Sequence, residues 1–309
     1  MASNADHLAR TRAAMADADI DVLVLGREAN ARYVSGANRL WLAGTRPFAP
    51  GCVVVRETGA VHLLSVTDDG VPPSIPADRL YPITWNPMNL IGAVAAATAG
   101  VPVRRVGVDG MSPLFAQLLR SAFPDAVFTD GEALLRMVRR VKTADDLAGI
   151  RAAVDVAEEA YDAVVEAATP GRTPVSLHGI FEERMAQLGV TTPAFQPLIE
   201  RHGDDWSIRA GVIRDGWEAS LARTWPGGDA ARAVVAGAVD ACRPGVAVAT
   251  VEEHGVHVDG IGLGHEELRG DDAVRSDMVV FVLGIVDGAV HGDTVWVTEA
   301  GPQVLTTRS

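Results

Sequence analysis

Apolar positions recur along this chain in blocks of helical and of strand spacing. Residues 4–19 carry them at the three- and four-residue interval of an amphipathic helix, and Ile20-Asp-Val-Leu-Val-Leu25 follows as a buried strand. Further strands are predicted at Cys52–Arg56, Val61–Ser65 and Val106–Asp109, with helices near 88–98 and 112–122. Strands interleaved with helices predict an α/β domain over residues 1–140. Around Leu135–Lys142 the composition changes. Met137–Asp146 reads as a linker entering a helix, with Thr143 as N-cap and Asp145 and Asp146 in the first turn. Leu147, Ile150, Val154, Ala157, Tyr161 and Val164 carry that helix on until Pro170-Gly171 ends it. Residues 141–309 then form a second domain.

Composition narrows the classes. A length of 309 residues suits two domains, and 48% hydrophobic with 22% charged residues suits a packed soluble protein. No uninterrupted apolar run reaches the ~18 residues of a membrane span, and the first residues lack the basic and apolar regions of a signal peptide. Cys52 and Cys242, far apart in sequence, fit a reducing cytoplasm without a disulfide framework. A formal charge of −13 argues against a nucleic-acid partner. The basic residues are 26 arginines and one lysine, Lys142, a skew that points to a GC-rich genome.

The densest polar chemistry lies in His254–Glu267, which holds three histidines, one aspartate, two glutamates and four glycines. Glycines at that density let backbone approach backbone, and the stretch reads either as the wall of a site or as a glycine-rich loop with incidental histidines. In this stretch His257 and Asp259 fall on one side of a strand. The loop Asn38–Phe48 groups Trp41 and Phe48 with two arginines, Arg39 and Arg46, a make-up that reaches a ligand or a partner.

Several segments in one order resemble the creatinase/aminopeptidase P/prolidase family. They are Met15–Leu25 and Asn30–Gly36, Arg139–Ala153, Pro170–Thr173, Asp215–Thr224, Cys242–Val246, Gly260–Glu267 and Asp293–Gly301. The resemblance implies an N-terminal α/β domain and a C-terminal α+β "pita-bread" domain, in a homodimer whose sites lie near the subunit interface. Metal-dependent members hold two metal ions with two aspartates, one histidine and two glutamates. By motif those positions are Arg209, Ser220, Asp259, Leu283 and Gly292 here. One of the five keeps a metal-capable side chain, and Arg209 brings a permanent positive charge. The expectation is a site without metal or other cofactor.

Within the family the metal-free relative is creatinase, which uses a histidine to move protons while cleaving a C–N bond. Glu218 and Ala222 stand in its equivalent segment, Ala222 where creatinase has a glutamate, so creatine itself is a poor substrate candidate. For acid–base work His265 and His291, with Glu266 beside the first, are the candidates, because imidazole titrates near working pH. For substrate binding they are Arg209, Asp259, Trp217, Arg46, Trp41 and His257. Arg209 calls for a carboxylate, either from Asp259 within the protein or from the substrate. Asp293-Thr294 reads as a turn and strand start. The leading expectation is a cytoplasmic, metal-independent enzyme of specialised metabolism. It hydrolyses, eliminates or rearranges at a C–N bond of a small, polar, amino-acid-like molecule. The alternatives are an inactive binding module of the same fold and, much less in keeping with Arg209, Leu283 and Gly292, a metallo-aminopeptidase.

Overall fold

The structure is a computed structural model that describes residues 2–38, 49–82, 84, 86–266 and 268–308. It divides into two compact units, Met1–Arg139 and Arg140–Ser309.

In the first unit, helix α1 (Ala2–Asp17) leads into strand β1 (Val22–Leu25), whose four residues are all buried. Helix α2 (Glu28–Ser35) follows, then β2 (Cys52–Val55), β3 (Val61–Leu64), β4 (Leu80–Tyr81), α3 (Pro87–Ala97), β5 (Arg105–Val108), α4 (Pro113–Ala122), β6 (Val127–Asp130) and α5 (Gly131–Arg140). The six strands order as β4-β3-β2-β1-β5-β6, with β1 parallel to β5 and antiparallel to β2. The expected α/β domain is present. Sequence reading passed over α2, β4, β6 and α5, and the "linker" at Met137 is still helix.

The second unit opens on α6 (Ala144–Ala167), capped as expected by Thr143. Its side chain accepts from the Asp146 amide while Asp146 accepts from the Thr143 amide. Then come α7 (Pro174–Gln187), β7 (Leu198–His202), β8 (Asp205–Arg214), β9 (Trp217–Trp225), α8 (Asp229–Ala241) and α9 (Val248–Glu252). The chain closes with β10 (Val256–Gly262), β11 (Gly264–Glu266), β12 (Val279–Val286), β13 (Ala289–Thr298) and β14 (Gly301–Val304). One sheet runs β11-β10-β12-β13-β9-β8-β7, with β14 on β13.

Strand alternation sorts the side chains of this sheet. Ile208, Ala210 and Val212 of β8 and Ala219 and Leu221 of β9 join the helix-packed core of α6 and α7. Val280 and Val282 of β12 pack with Val235, Ala238 and Val239 of α8. Residues between them turn the other way. The seam between β9 and β13 pairs Ala222 with Gly292, and threonine hydroxyls secure it on both sides. Thr294 Oγ1 donates to the Ser220 carbonyl and accepts from its amide, and Thr224 Oγ1 does the same at Val290. Asp293 and Thr294 therefore sit mid-strand, not at the strand start that sequence reading placed there.

Candidate active site

A single row of opposed residues crosses the sheet: Leu198–Arg209–Ala222–Gly292–Leu283–His257. Opposed residues of antiparallel neighbours share a face, so this row fixes what lines the cavity above it. That cavity measures about 720 Å³ and is bounded by Arg209, Leu198, His257 and Leu283 of the row, with Glu218, Ser220, Asp259 and Phe281 from the rows beyond. Four of the five positions that the family resemblance assigned to metal ligands, Arg209, Ser220, Asp259 and Leu283, thus converge on one cavity, and the fifth, Gly292, lies in its row.

Those residues do not fit a carboxylate-held metal pair, which needs several hard oxygen ligands facing one point. Arg209 presents a guanidinium and Leu283 an alkyl group. At Gly292 the space of a side chain is taken, since a Cβ there would lie 2.7 Å from Cζ of Phe281. Ser220 turns its hydroxyl to Glu218 Oε1 at 3.3 Å. Among the described residues, no cluster of three His, Cys, Asp or Glu side chains converges on a metal position.

The polar groups make a different arrangement. His257 lies between two carboxylates, with Nδ1 at 3.2 Å from Glu252 Oε1 and Nε2 at 3.0 Å from Asp259 Oδ2. Glu252, the last residue of α9, also accepts from the Val258 amide at 3.2 Å, which pins it beneath the ring. The turn between them bends at Gly255, with φ of 85°, a region glycine enters without strain. Arg209, half-buried on the facing strands, has no carboxylate partner among the described residues. The Arg209–Asp259 ion pair considered from sequence does not form, because Asp259 meets His257 instead.

Three expected site residues do not line the cavity. Trp217 precedes Glu218 and packs on α6, where Gly149 leaves room for its indole. His291 precedes Gly292 and is buried against Asp293, Nε2 to Oδ2 3.3 Å. Burial would raise the Asp293 carboxyl, but the hydrogen bond from His291 and the Arg223 guanidinium at 2.9 Å hold it below its ordinary range. Glu266 follows His265 and forms a buried ion pair with Lys142 at 2.8 Å. The backbone of His265 pairs with Ile261. Trp41 and Arg46 lie outside the described residues. Sequence reading overlooked Glu252 and left the facing of Glu218 open; Glu218 faces the cavity and is buried.

Residues 7–141 match the Creatinase/Prolidase N-terminal domain family. The first domain belongs to that family. The fold of its two-domain relatives extends over the whole chain. The Xaa-Pro dipeptidase from Bacillus anthracis superposes with a TM-score of 0.80 at 18% identity, over 99% of this chain and 98% of that one. The prolidase from Pyrococcus furiosus gives 0.78 at 18% identity, over 98% and 99%. The dipeptidase PepE from Mycobacterium ulcerans gives 0.74 at 22% identity, over 100% and 96%. At these identities the likeness establishes the creatinase/prolidase fold, with its α/β first domain and pita-bread second domain, and leaves the chemistry to the cavity.

Proposed function

We propose that this creatinase/prolidase-fold protein is a metal-independent enzyme that acts at a C–N bond of a small, amino-acid-like, carboxylate-bearing molecule. The observation that carries the reading is Arg209, a permanent cation lining the cavity with no carboxylate partner among the described residues. Such a group binds a ligand carboxylate through two parallel N–H···O bonds and so fixes its orientation. Opposite it, His257 is the proton carrier, with His265 as a second candidate on the adjoining strand. The Glu252 and Asp259 carboxylates set the ring's position. In a hydrolysis, water's oxygen bonds to carbon as the C–N bond breaks. One water proton passes to the imidazole and is returned to the leaving nitrogen. Likeness to proteins named prolidase, Xaa-Pro dipeptidase and dipeptidase supports C–N hydrolysis over elimination or rearrangement. A homodimer with sites near the interface remains part of the proposal, on the family resemblance.

The test is a panel of amino acids, amidino and carbamoyl amino acids and dipeptides, followed by amine release and proton NMR. At least one compound should turn over. Arg209→Met should keep the circular dichroism of the parent while losing a desolvated charge pair's ~2–4 kcal/mol of transition-state binding, and His257→Asn should lose turnover with little change in binding. Unfolding of both Arg209→Met and Asp259→Asn would show that Arg209 is structural filler. Binding without product from any compound would favour the inactive binding module.

A further inference from the structure

Resting on the Arg209 anchor just proposed, we infer that the cavity selects a monocarboxylate bearing a bulky apolar group close to its carboxylate, an aromatic or branched aliphatic acid. Leu198 stands directly opposite Arg209 in the β7–β8 register. Leu198 and Phe195 are 39% and 41% exposed, two of the large apolar side chains that the fold leaves open to solvent, and both border this cavity. Apolar side chains lining a concave cavity beside a placed charged group are the make-up of a small-molecule site.

The floor continues the theme. From Arg209 the row runs through Ala222, Gly292 and Leu283, none of which offers a polar side-chain atom. The Phe281 ring presses into the space left by Gly292. A ligand leaving Arg209 in that direction meets alkyl and aryl carbon.

Beyond the floor the charge reverses. Asp259 and the buried Glu218 both face the cavity, so a second carboxylate on the ligand would approach carboxylates already there. Like charges in a partly enclosed space repel strongly. Dicarboxylates are therefore excluded by the same walls that accept an apolar body.

Calorimetric titration of the full chain with 3-phenylpropionate, 4-methylpentanoate, acetate, succinate and 3-phenylpropanamide tests this. The two apolar acids should bind roughly tenfold or more tighter than acetate, as burial of a phenyl or isobutyl group predicts. Succinate and the amide should bind at least about tenfold more weakly than 3-phenylpropionate. Phe195→Ser and Leu198→Ser, both on the exposed rim, should erode the preference over acetate. Arg209→Met should remove the difference between acid and amide. Acetate or succinate binding as tightly as 3-phenylpropionate overturns the apolar selection, and the anchor still stands if Arg209→Met abolishes their binding. Equal binding of acid and amide to the parent protein overturns the anchor itself. Absence of binding by every probe overturns the inference.

Discussion

Asp109 carries an acid where the first domain has almost no water. Its carboxylate accepts from the amides of Gly26 and Arg27 at the start of α2 and from Nδ2 of Asn30. Burial outweighs those bonds and pushes its carboxyl from the ordinary 3.8 up to about 6. The folded chain then holds a proton that the unfolded chain has already released. Folding is thus less favoured as pH rises from about 4 to about 6, by on the order of 2–3 kcal/mol, and the loss is complete above that window. Asp109→Asn removes the titration. Denaturation midpoints of both proteins across this window should show the variant gaining on the parent as pH rises; a constant difference would show that Asp109 titrates normally. At the same scale, the shared face of His257 and Asp259 was legible, since residues two apart on a strand point the same way, but their pairing was not, because Asp259 was considered as the partner of Arg209. Glu252 was not legible. It reaches His257 from five residues back through the turn at Gly255, and no periodicity reports that approach.

Elements hide which way a strand turns. Alternation told that Glu218 and Trp217 point oppositely, and only the partner strands decide which of them meets the cavity. His291 and Glu266 were misassigned to the site for the same reason. Polar residues in a strand suggested function, whereas Asp293 with Arg223 and Lys142 supply buried partners on the other side. The short helix α2 escaped notice because its eight residues hold too few apolar positions to establish a period. Gly149, in the interior of α6, makes sense only with Trp217 in view. A Cβ there would lie 2.3 Å from Cδ1 of the indole. Alanine is the better helix former by roughly 1 kcal/mol, yet Gly149→Ala should destabilise the domain by about 1–3 kcal/mol through overpacking. Adding Trp217→Leu should relieve most of that loss in a urea melt, and a stabilised single variant would refute the contact. Lys142 gives a second test. It is the chain's single lysine, and both it and Glu266 have side chains no more than 2% exposed. Lys142→Met leaves Glu266 a lone buried charge and should cost about 3–5 kcal/mol, while Lys142→Met with Glu266→Leu should recover most of it. An additive double variant would mean that the pair is not coupled.

Over the whole molecule, motif order carried the architecture. Each segment was weak alone, but their common sequence across both units anticipated an α/β domain joined to a pita-bread domain. No described helix is long and apolar enough to cross a membrane, and Cys52 and Cys242 are buried and unbridged. The remaining question at this scale is the metal. Ligand positions were traced by motif, and the fold brings them to one cavity with an arginine, a leucine and a phenyl ring where oxygen ligands belong. A metal bound only by the folded chain raises stability by RT ln(1 + [L]/Kd), about 4 kcal/mol at a thousandfold excess over Kd. With Mn2+, Co2+ or Zn2+ at about 1 mM, a micromolar site would therefore lift the melting temperature by several degrees. The midpoint should instead stay where it is, with or without chelator, and any turnover found in the substrate panel should survive chelation. A rise with Mn2+ or Co2+ that Asp259→Asn abolishes would mean that Asp259 and His257 have rebuilt a metal site on the far wall. The guanidinium of Arg209 would then be a bystander, and the metal-free reading would fail with it.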